Sequence, residues 1–324
     1  MKPIDYIHRC IELAAQGKGW VNPNPLVGCV IVHDGKIIAE GWHKAFGQPH
    51  AEKMAIDGFL LNGGNPELLA ESELYVSLEP CSHFGKTPPC ADLVVKYGFK
   101  KVYVSLLDPN KLVAGKGIEK LNNAGIVVEV GLGKELAIKQ NRFFLSFHEK
   151  NRPYIILKWA ETLDGFIAPE SRERLSISGL ESQKYVHALR QECSAILVGS
   201  TTWIVDKPEL TDRYFGGPQP VKFVLSSKNN VEEFIDFHWV NTTGDLVEKC
   251  MNLGLNSVLV EGGSKTLNTF ISDGLFDEVH IIKSKIKALE KGIKGPEFNL
   301  KIVKDFTMNS IENPNDVIEV YKRK

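Results

Sequence analysis

His50-Ala51-Glu52, followed by Pro80-Cys81 and then by Pro88-Pro89-Cys90, decides how the first half of this chain reads. One imidazole and two thiolates are the nitrogen and sulfur donors that Zn²⁺ prefers. Three protein ligands leave a coordination position open for water, which separates catalytic zinc from structural zinc. Glu52 stands two residues past the histidine, suited to moving protons beside a metal without ligating it. Zinc, an activated water and a non-ligating carboxylate are the machinery of hydrolytic deamination at an amidine carbon. His50 and Cys90 each follow proline at an expected helix start. There the positive end of the helix dipole favours a thiolate and, at Glu52, a carboxylate.

Eight residues, Ser82–Pro89, separate the two cysteines, where the usual nucleobase deaminase signature has two. A loop of that length must fold back to bring both sulfurs to one ion. It carries His83, Lys86 and Thr87, polar groups suited to a substrate phosphate. A structural zinc module would instead need a fourth protein ligand, and His83 is the nearby candidate.

Around this stretch, Ile7, Cys10, Ile11 and Ala14 recur at helical spacing with Asp5 as the expected cap. Val27–Val32 and Lys36–Gly41 read as strands joined at Asp34-Gly35, a hairpin signal. A helix over His50–Phe59, a strand at Leu74–Leu78, a helix from Cys90 to Lys96, a strand at Lys101–Leu106, a helix around Ile118–Asn123 and a strand at Ile126–Val130 follow. This order predicts a mixed sheet covered by helices.

At 324 residues the chain predicts two domains, since single cores stop growing beyond roughly 250 residues. The charged stretch ending at Pro153 marks the boundary, with residues 1–148 and 153–324 as the domains. Residues 1–150 hold 17 basic against 16 acidic side chains and the remainder 22 against 24. Neither half has the basic excess that draws a protein onto nucleic acid. Met1-Lys2-Pro3-Ile4-Asp5 has no apolar leader pattern, and no apolar run approaches the roughly 20 residues of a membrane span. A cytoplasmic protein with no membrane partner is expected. Six scattered cysteines then read as thiols or ligands, with Cys10, Cys29, Cys193 and Cys250 assigned to the core.

The second half alternates strands and helices. Strands are expected at Tyr154–Trp159, Ala195–Gly199, Val221–Leu225, Ser257–Val260, Val279–Lys283 and Val317–Tyr321. Helices are expected at Glu181–Glu192, Thr201–Val205, Asp245–Leu253 and Lys265–Ser272. Its clearest signal is Val258-Leu-Val-Glu-Gly-Gly-Ser-Lys265, a strand ending in a Gly-Gly turn that opens a helix. Backbone N–H groups there can approach a phosphate, but the pattern is not the GxGxxG of a Rossmann site.

Asn22-Pro-Asn-Pro-Leu-Val-Gly-Cys-Val30, Gly41-Trp-His43, His50-Ala-Glu52 and Pro80-Cys-Ser-His-Phe-Gly-Lys-Thr-Pro-Pro-Cys90 closely resemble the deaminase half of the bifunctional riboflavin-biosynthesis deaminase/reductases. Asp108-Pro-Asn110 and Val113-Ala-Gly-Lys-Gly117 look like the same family. The resemblance implies an N-terminal cytidine-deaminase-like domain, an α/β fold with a three-layer mixed sheet. It implies deamination of 2,5-diamino-6-ribosylamino-4(3H)-pyrimidinone 5′-phosphate at the exocyclic 2-amino group, with His50, Cys81 and Cys90 on zinc, Glu52 as the proton shuttle, and Asn24 and His43 holding the pyrimidine or ribose. The long loop between the cysteines sets this family apart from deaminases of nucleic acid.

The second half resembles the reductase domain of that family over most of 153–285. The matching residues are Leu157-Lys-Trp-Ala-Glu-Thr-Leu-Asp-Gly165, Leu189-Arg190, Ala195-Ile-Leu-Val-Gly-Ser-Thr-Thr202, Pro208-Glu-Leu210 with Arg213, and Val260-Glu-Gly-Gly263. This implies a dihydrofolate-reductase-like α/β domain using NADPH, which turns the ribosyl into a ribityl side chain. Arg190, Leu210, Arg213 and Glu261 then look like substrate contacts, two arginines suiting a ribose phosphate. Ala160, Thr202, Asp206, Gly262, Gly263, Ser264, Lys265 and Thr266 look like the cofactor side. Lys158, placed at the end of the first strand, is a further substrate candidate. Lys207 and Arg172-Glu-Arg-Leu-Ser176 depart from the family pattern, which puts reductase contacts in question. A homo-oligomer, dimer or tetramer, is the expected assembly.

Overall fold

The computed structural model describes residues 1–83, 88–110, 114–171, 173, 175–226 and 236–324. The chain divides into two compact units, Met1–Asn151 and Arg152–Lys324.

The first unit runs α1 (Pro3–Ala15), β1 (Gly28–His33), β2 (Lys36–Trp42), α2 (Ala51–Leu61), α3 (Glu67–Ala70), β3 (Glu73–Val76), α4 (Cys90–Tyr97), β4 (Lys101–Val104), α5 (Lys116–Asn123), β5 (Val127–Val130), α6 (Lys134–Gln140) and α7 (Arg142–Glu149). Its sheet has the order β2-β1-β3-β4-β5. β1 pairs antiparallel with β2 and β3, and β3-β4-β5 run parallel. Alternation along the strands separates two apolar faces. Cys29, Ile31, Leu74, Val76, Val102 and Val104 pack against Ala51, Ala55 and Ile56 of α2 and Val94 of α4. Val30, Val32, Tyr75 and Tyr103 pack against Tyr6, Ile7, Cys10 and Leu13 of α1. Helix, sheet and helix make the three layers expected.

Helix α1 begins earlier than its apolar spacing implies. Pro3 occupies the first turn, where its missing N–H costs nothing. Asp5 is therefore not the N-cap; it sits inside the helix and its carboxylate accepts the Lys2 N–H at 2.7 Å. Gly28 lets α1 lie against β1, because a Cβ there would overlap the Cys10 carbonyl.

The second unit runs β6 (Tyr154–Glu161), β7 (Phe166–Ala168), α8 (Leu180–Glu192), β8 (Ala195–Gly199), α9 (Ser200–Asp206), β9 (Val221–Leu225), β10 (His238–Val240), α10 (Thr243–Leu253), β11 (Ser257–Val260), α11 (Ser264–Ser272), β12 (Glu278–Ser284), β13 (Ile293–Lys294), α12 (Leu300–Val303), β14 (Phe306–Glu312) and β15 (Asp316–Arg323). Eight of these strands form one sheet, β10-β9-β8-β11-β6-β12-β15-β14. It is parallel from β10 to β12, and β15 and β14 close it antiparallel. Ile155, Leu157, Leu197, Phe223, Val258, Val260, Phe270 and Val279 form the centre of its largest apolar cluster. Strand β6 reaches Glu161, so Lys158 lies within it and not at its end. Its side chain is largely buried and paired, contrary to a solvated strand-end lysine. Cys10, Cys29, Cys193 and Cys250 are all buried.

Candidate active sites

In the first unit, His50 is the N-cap of α2 and Cys90 is the first residue of α4. Cys81 follows the end of β3. His50 Nδ1 lies 3.5 Å from Cys81 Sγ and 3.4 Å from Cys90 Sγ, and the three ligand atoms fall within 4.8 Å of one another. Among the described residues this is the one such group of three or more histidine, cysteine or carboxylate side chains. One nitrogen and two sulfurs at this separation fit a tetrahedral zinc with its fourth position open.

The electrostatics agree with a cation site. The hydrogen bond from Cys90 pulls the Cys81 thiol well below its ordinary range, with His50 adding to it. The same contact, with burial, pushes Cys90 up. The Cys90 N–H, the first of α4, also donates to Cys81 Sγ at 3.3 Å, a helix-terminus donor favouring thiolate. Glu52, in the first turn of α2, is 3% exposed. Burial raises its carboxyl pKa, with Cys81 adding to the effect, the direction expected of a carboxyl that exchanges protons. Gly41 admits this turn, since a Cβ there would overlap the Ala51 carbonyl.

Asn24 and His43 are brought to the same place. His43 Nδ1 lies 3.1 Å from the Pro49 carbonyl, which can only accept, so the proton is on Nδ1. Nε2 then accepts from Asn24 Nδ2 at 3.1 Å. The His43 ring meets that of His50 edge-on at 5.4 Å between centroids. His83 is exposed. Lys86 and Thr87 lie outside the described residues.

Two supporting residues escaped the sequence reading. Glu79, 4% exposed, accepts from the N–H groups of Asp108 (3.1 Å), Gly115 (3.0 Å), Gly117 (2.9 Å) and Ile118 (3.4 Å). It therefore closes the loop after β4 onto Pro80-Cys81. Gly117 is required because a Cβ there would overlap the Pro80 carbonyl. A carboxylate between a strand and Pro-Cys was the available signal. Asn141, between α6 and α7, accepts the Leu26 N–H at 2.8 Å and donates to the Leu26 carbonyl at 3.0 Å. This clamps the segment carrying Asn24.

In the second unit, Glu261 follows β11 and is bound bidentately by Arg190 of α8, at 2.7 and 2.9 Å. Lys158 Nζ is 3.3 Å away. Burial works against the Glu261 carboxylate, but Lys158 and Arg190 prevail and hold its pKa at about 2. Arg190 also donates to the Thr211 carbonyl at 3.0 Å. Its fork is thus occupied by protein groups, whereas Arg213 is exposed. Leu210 is buried with φ 55°.

The cofactor-side residues divide. Thr202 Oγ1 accepts the Gly263 N–H at 2.8 Å, so that amide is spoken for and does not face a phosphate, as the Gly-Gly turn had suggested. Gly199 N–H donates to the Gly262 carbonyl at 2.8 Å, and a Cβ at Gly199 would overlap Thr266 Oγ1. The turns after the parallel neighbours β8 and β11 therefore interlock, with Ser264 and Lys265 opening α11 beside them. That is the carboxyl end of the strands, where open α/β sheets bind ligands, so the place fits a nucleotide cofactor. Ala160 lies on β6 and Asp206 ends α9. Lys207 follows with φ 40°. Arg172 and Arg174 lie outside the described residues.

Residues 1–106 match the cytidine and deoxycytidylate deaminase zinc-binding region, and residues 153–284 match the RibD C-terminal domain. The riboflavin biosynthesis protein RibD of Aquifex aeolicus is 37% identical, with 98% of each chain covered. That of Actinobacillus pleuropneumoniae is 37% identical over 86% of this chain and 83% of its own. The crystal structure of a diaminohydroxyphosphoribosylaminopyrimidine deaminase/5-amino-6-(5-phosphoribosylamino)uracil reductase from Thermotoga maritima is 34% identical, covers 99% of both chains and superposes with a TM-score of 0.91. A sheet that presents a His-Cys-Cys cluster beside a buried glutamate, joined in one chain to a RibD reductase unit, places this protein in the RibD family of bifunctional riboflavin-biosynthesis deaminase/reductases.

Proposed function

We propose that the first unit deaminates 2,5-diamino-6-ribosylamino-4(3H)-pyrimidinone 5′-phosphate and that the second reduces its ribosyl side chain to ribityl. The observation that carries the reading is the convergence of His50, Cys81 and Cys90 beside the buried Glu52. Bound zinc supplies a Lewis acid that makes water a nucleophile near neutral pH. Glu52 takes the proton from that water and passes it to the ring nitrogen. It then carries the remaining hydroxyl proton of the added water to the exocyclic amine, whose bond to the ring carbon breaks as ammonia leaves and the carbonyl forms. Asn24 and His43 orient the ring; His43, with its proton fixed on Nδ1 by Pro49, offers the substrate side a neutral imidazole. His83, Lys86 and Thr87 receive the phosphate in this reading.

In the second unit NADPH supplies the hydride, and the protein supplies orientation. Arg213 and Leu210 hold the substrate, while Arg190 and Lys158 keep Glu261 ionised. Thr202 and the Gly262–Thr266 turn form the cofactor side with Ala160 and Asp206. Residues 1–148 and 153–324 act as the two domains, in the cytoplasm and as a homo-oligomer. The test incubates zinc-loaded protein with the ribotide, with and without NADPH, following ammonia and nicotinamide absorbance. Ammonia release followed by NADPH-dependent reduction is expected; no ammonia from the wild type overturns the proposal.

A further inference from the structure

His187, on α8 one turn before Arg190, belongs to none of the roles assigned above. Its side chain is 4% exposed and packs edge-on against Tyr214, with ring centroids 4.8 Å apart. Nδ1 lies 3.0 Å from the backbone nitrogen of Arg213. A backbone N–H can only donate, so Nδ1 is an acceptor and the ring proton of the neutral form sits on Nε2. Asp212 Oδ1 is 3.6 Å from Nδ1, beyond hydrogen-bond range. It is occupied by the N–H groups of Tyr214 and Phe215. Burial, with Arg190 and Arg213 as neighbours, holds the imidazole below its ordinary pKa, which favours the neutral form.

The consequence lies at the other nitrogen. Nε2 is 3.5 Å from Arg213 Nη2. Arginine has no acceptor, so the contact joins two N–H donors and is not a hydrogen bond. Two donors on a buried ring and an exposed guanidinium converge on one point, an arrangement that suits an anionic oxygen. We propose that His187 Nε2–H is a direct donor to the substrate phosphate held by Arg213, and so a binding residue of the reductase unit. This rests on the reading that Arg213 grips the ribose phosphate. A neutral imidazole beside one free guanidinium also favours a phosphate over a neutral hydroxymethyl group by a charge-assisted bond.

Two substitutions separate this role from mere support. In His187→Asn the amide oxygen sits near the Nδ1 position and can accept the Arg213 N–H, but nothing replaces the distal donor. In His187→Gln the amide nitrogen reaches the Nε2 position. Full-length protein is assayed with NADPH and 5-amino-6-ribosylamino-uracil, with and without its 5′-phosphate. His187→Asn should raise KM for the phosphorylated compound by roughly 10–100-fold, the range of a hydrogen bond to a charged group. KM for the dephosphorylated compound should stay within about threefold, and His187→Gln should recover most of the loss. If His187→Asn behaves as wild type, or if Gln is the worse of the two, the ring only tethers the Arg213 backbone and the proposal is overturned. Arg213→Ala tests the underlying reading by itself. If it fails to discriminate the two compounds, the phosphate is held elsewhere, whatever the His187 variants do.

Discussion

Glu79→Gln is the substitution that most directly tests how the zinc ligands are held. The wild-type carboxylate takes N–H groups on both oxygens, Asp108 and Gly115 on one, Gly117 and Ile118 on the other. Glutamine keeps one oxygen and turns an NH₂ toward two of these donors. Losing two bonds to a charged acceptor costs roughly 3–6 kcal/mol at about 1.5–3 kcal/mol each. Against a total stability of about 5–15 kcal/mol for a domain, the loop after β4 should detach before the whole unit melts. At about 2–4 °C per kcal/mol for a domain of this size, even the lower figure lowers Tm by roughly 6–12 °C. Because Gly117 abuts the Pro80 carbonyl, the release should also reach Cys81. Zinc affinity should then fall about 10–100-fold, the usual effect of losing an outer-shell support. Thermal melts of the full chain and chelator competition for zinc measure both. A Tm within about 2 °C of wild type, with unaltered zinc affinity, would refute the view that Glu79 organises the ligand loop.

Three further outcomes are expected. Glu52→Gln should retain one zinc by metal analysis yet lose ammonia release by about 10²–10⁴-fold; loss of the metal instead would mean that Glu52 is a ligand. Glu261 has its folded pKa depressed to about 2 from 4.5, so its contribution, roughly 3 kcal/mol, is complete above pH 4.5 and fades as pH falls toward 2. Tm measured down that range should therefore drop more steeply in wild type than in Glu261→Gln, and parallel curves would sink the argument. Thr202→Val removes the acceptor of the Gly263 N–H and should raise KM for NADPH roughly tenfold, the cost of one buried unpaired donor. Equal KM values in a steady-state titration would detach that turn from the cofactor.

The candidate zinc ligands were legible because each is announced locally, His50 and Cys90 by a proline and a helix start and Cys81 by a proline after a strand. What supports them was not. Glu79 meets partners 29 to 39 residues away, and Asn141 meets Leu26 across 115, distances over which spacing carries no information. Helices α6 and α7 went unread because Asn141 breaks the helical period between Ala137 and Phe143. β14 went unread because all but its first residue is exposed, leaving no alternation to detect. In the reductase unit the arginines were found by type, but type could not reveal that Arg190 is already occupied by Glu261, 71 residues away.

The clamp of Asn141 on Leu26 sets a limit on how small a working deaminase can be. The zinc-binding signature ends at residue 106, and a fragment cut there would retain His50, Glu52, Cys81 and Cys90. It would lose the anchor of the segment that presents Asn24. It would also lose Asp108, Gly115, Gly117 and Ile118, the donors that hold Glu79 beside Cys81. Such a fragment should bind metal weakly as well as grip the pyrimidine poorly, because both halves of the site are fastened from beyond the signature.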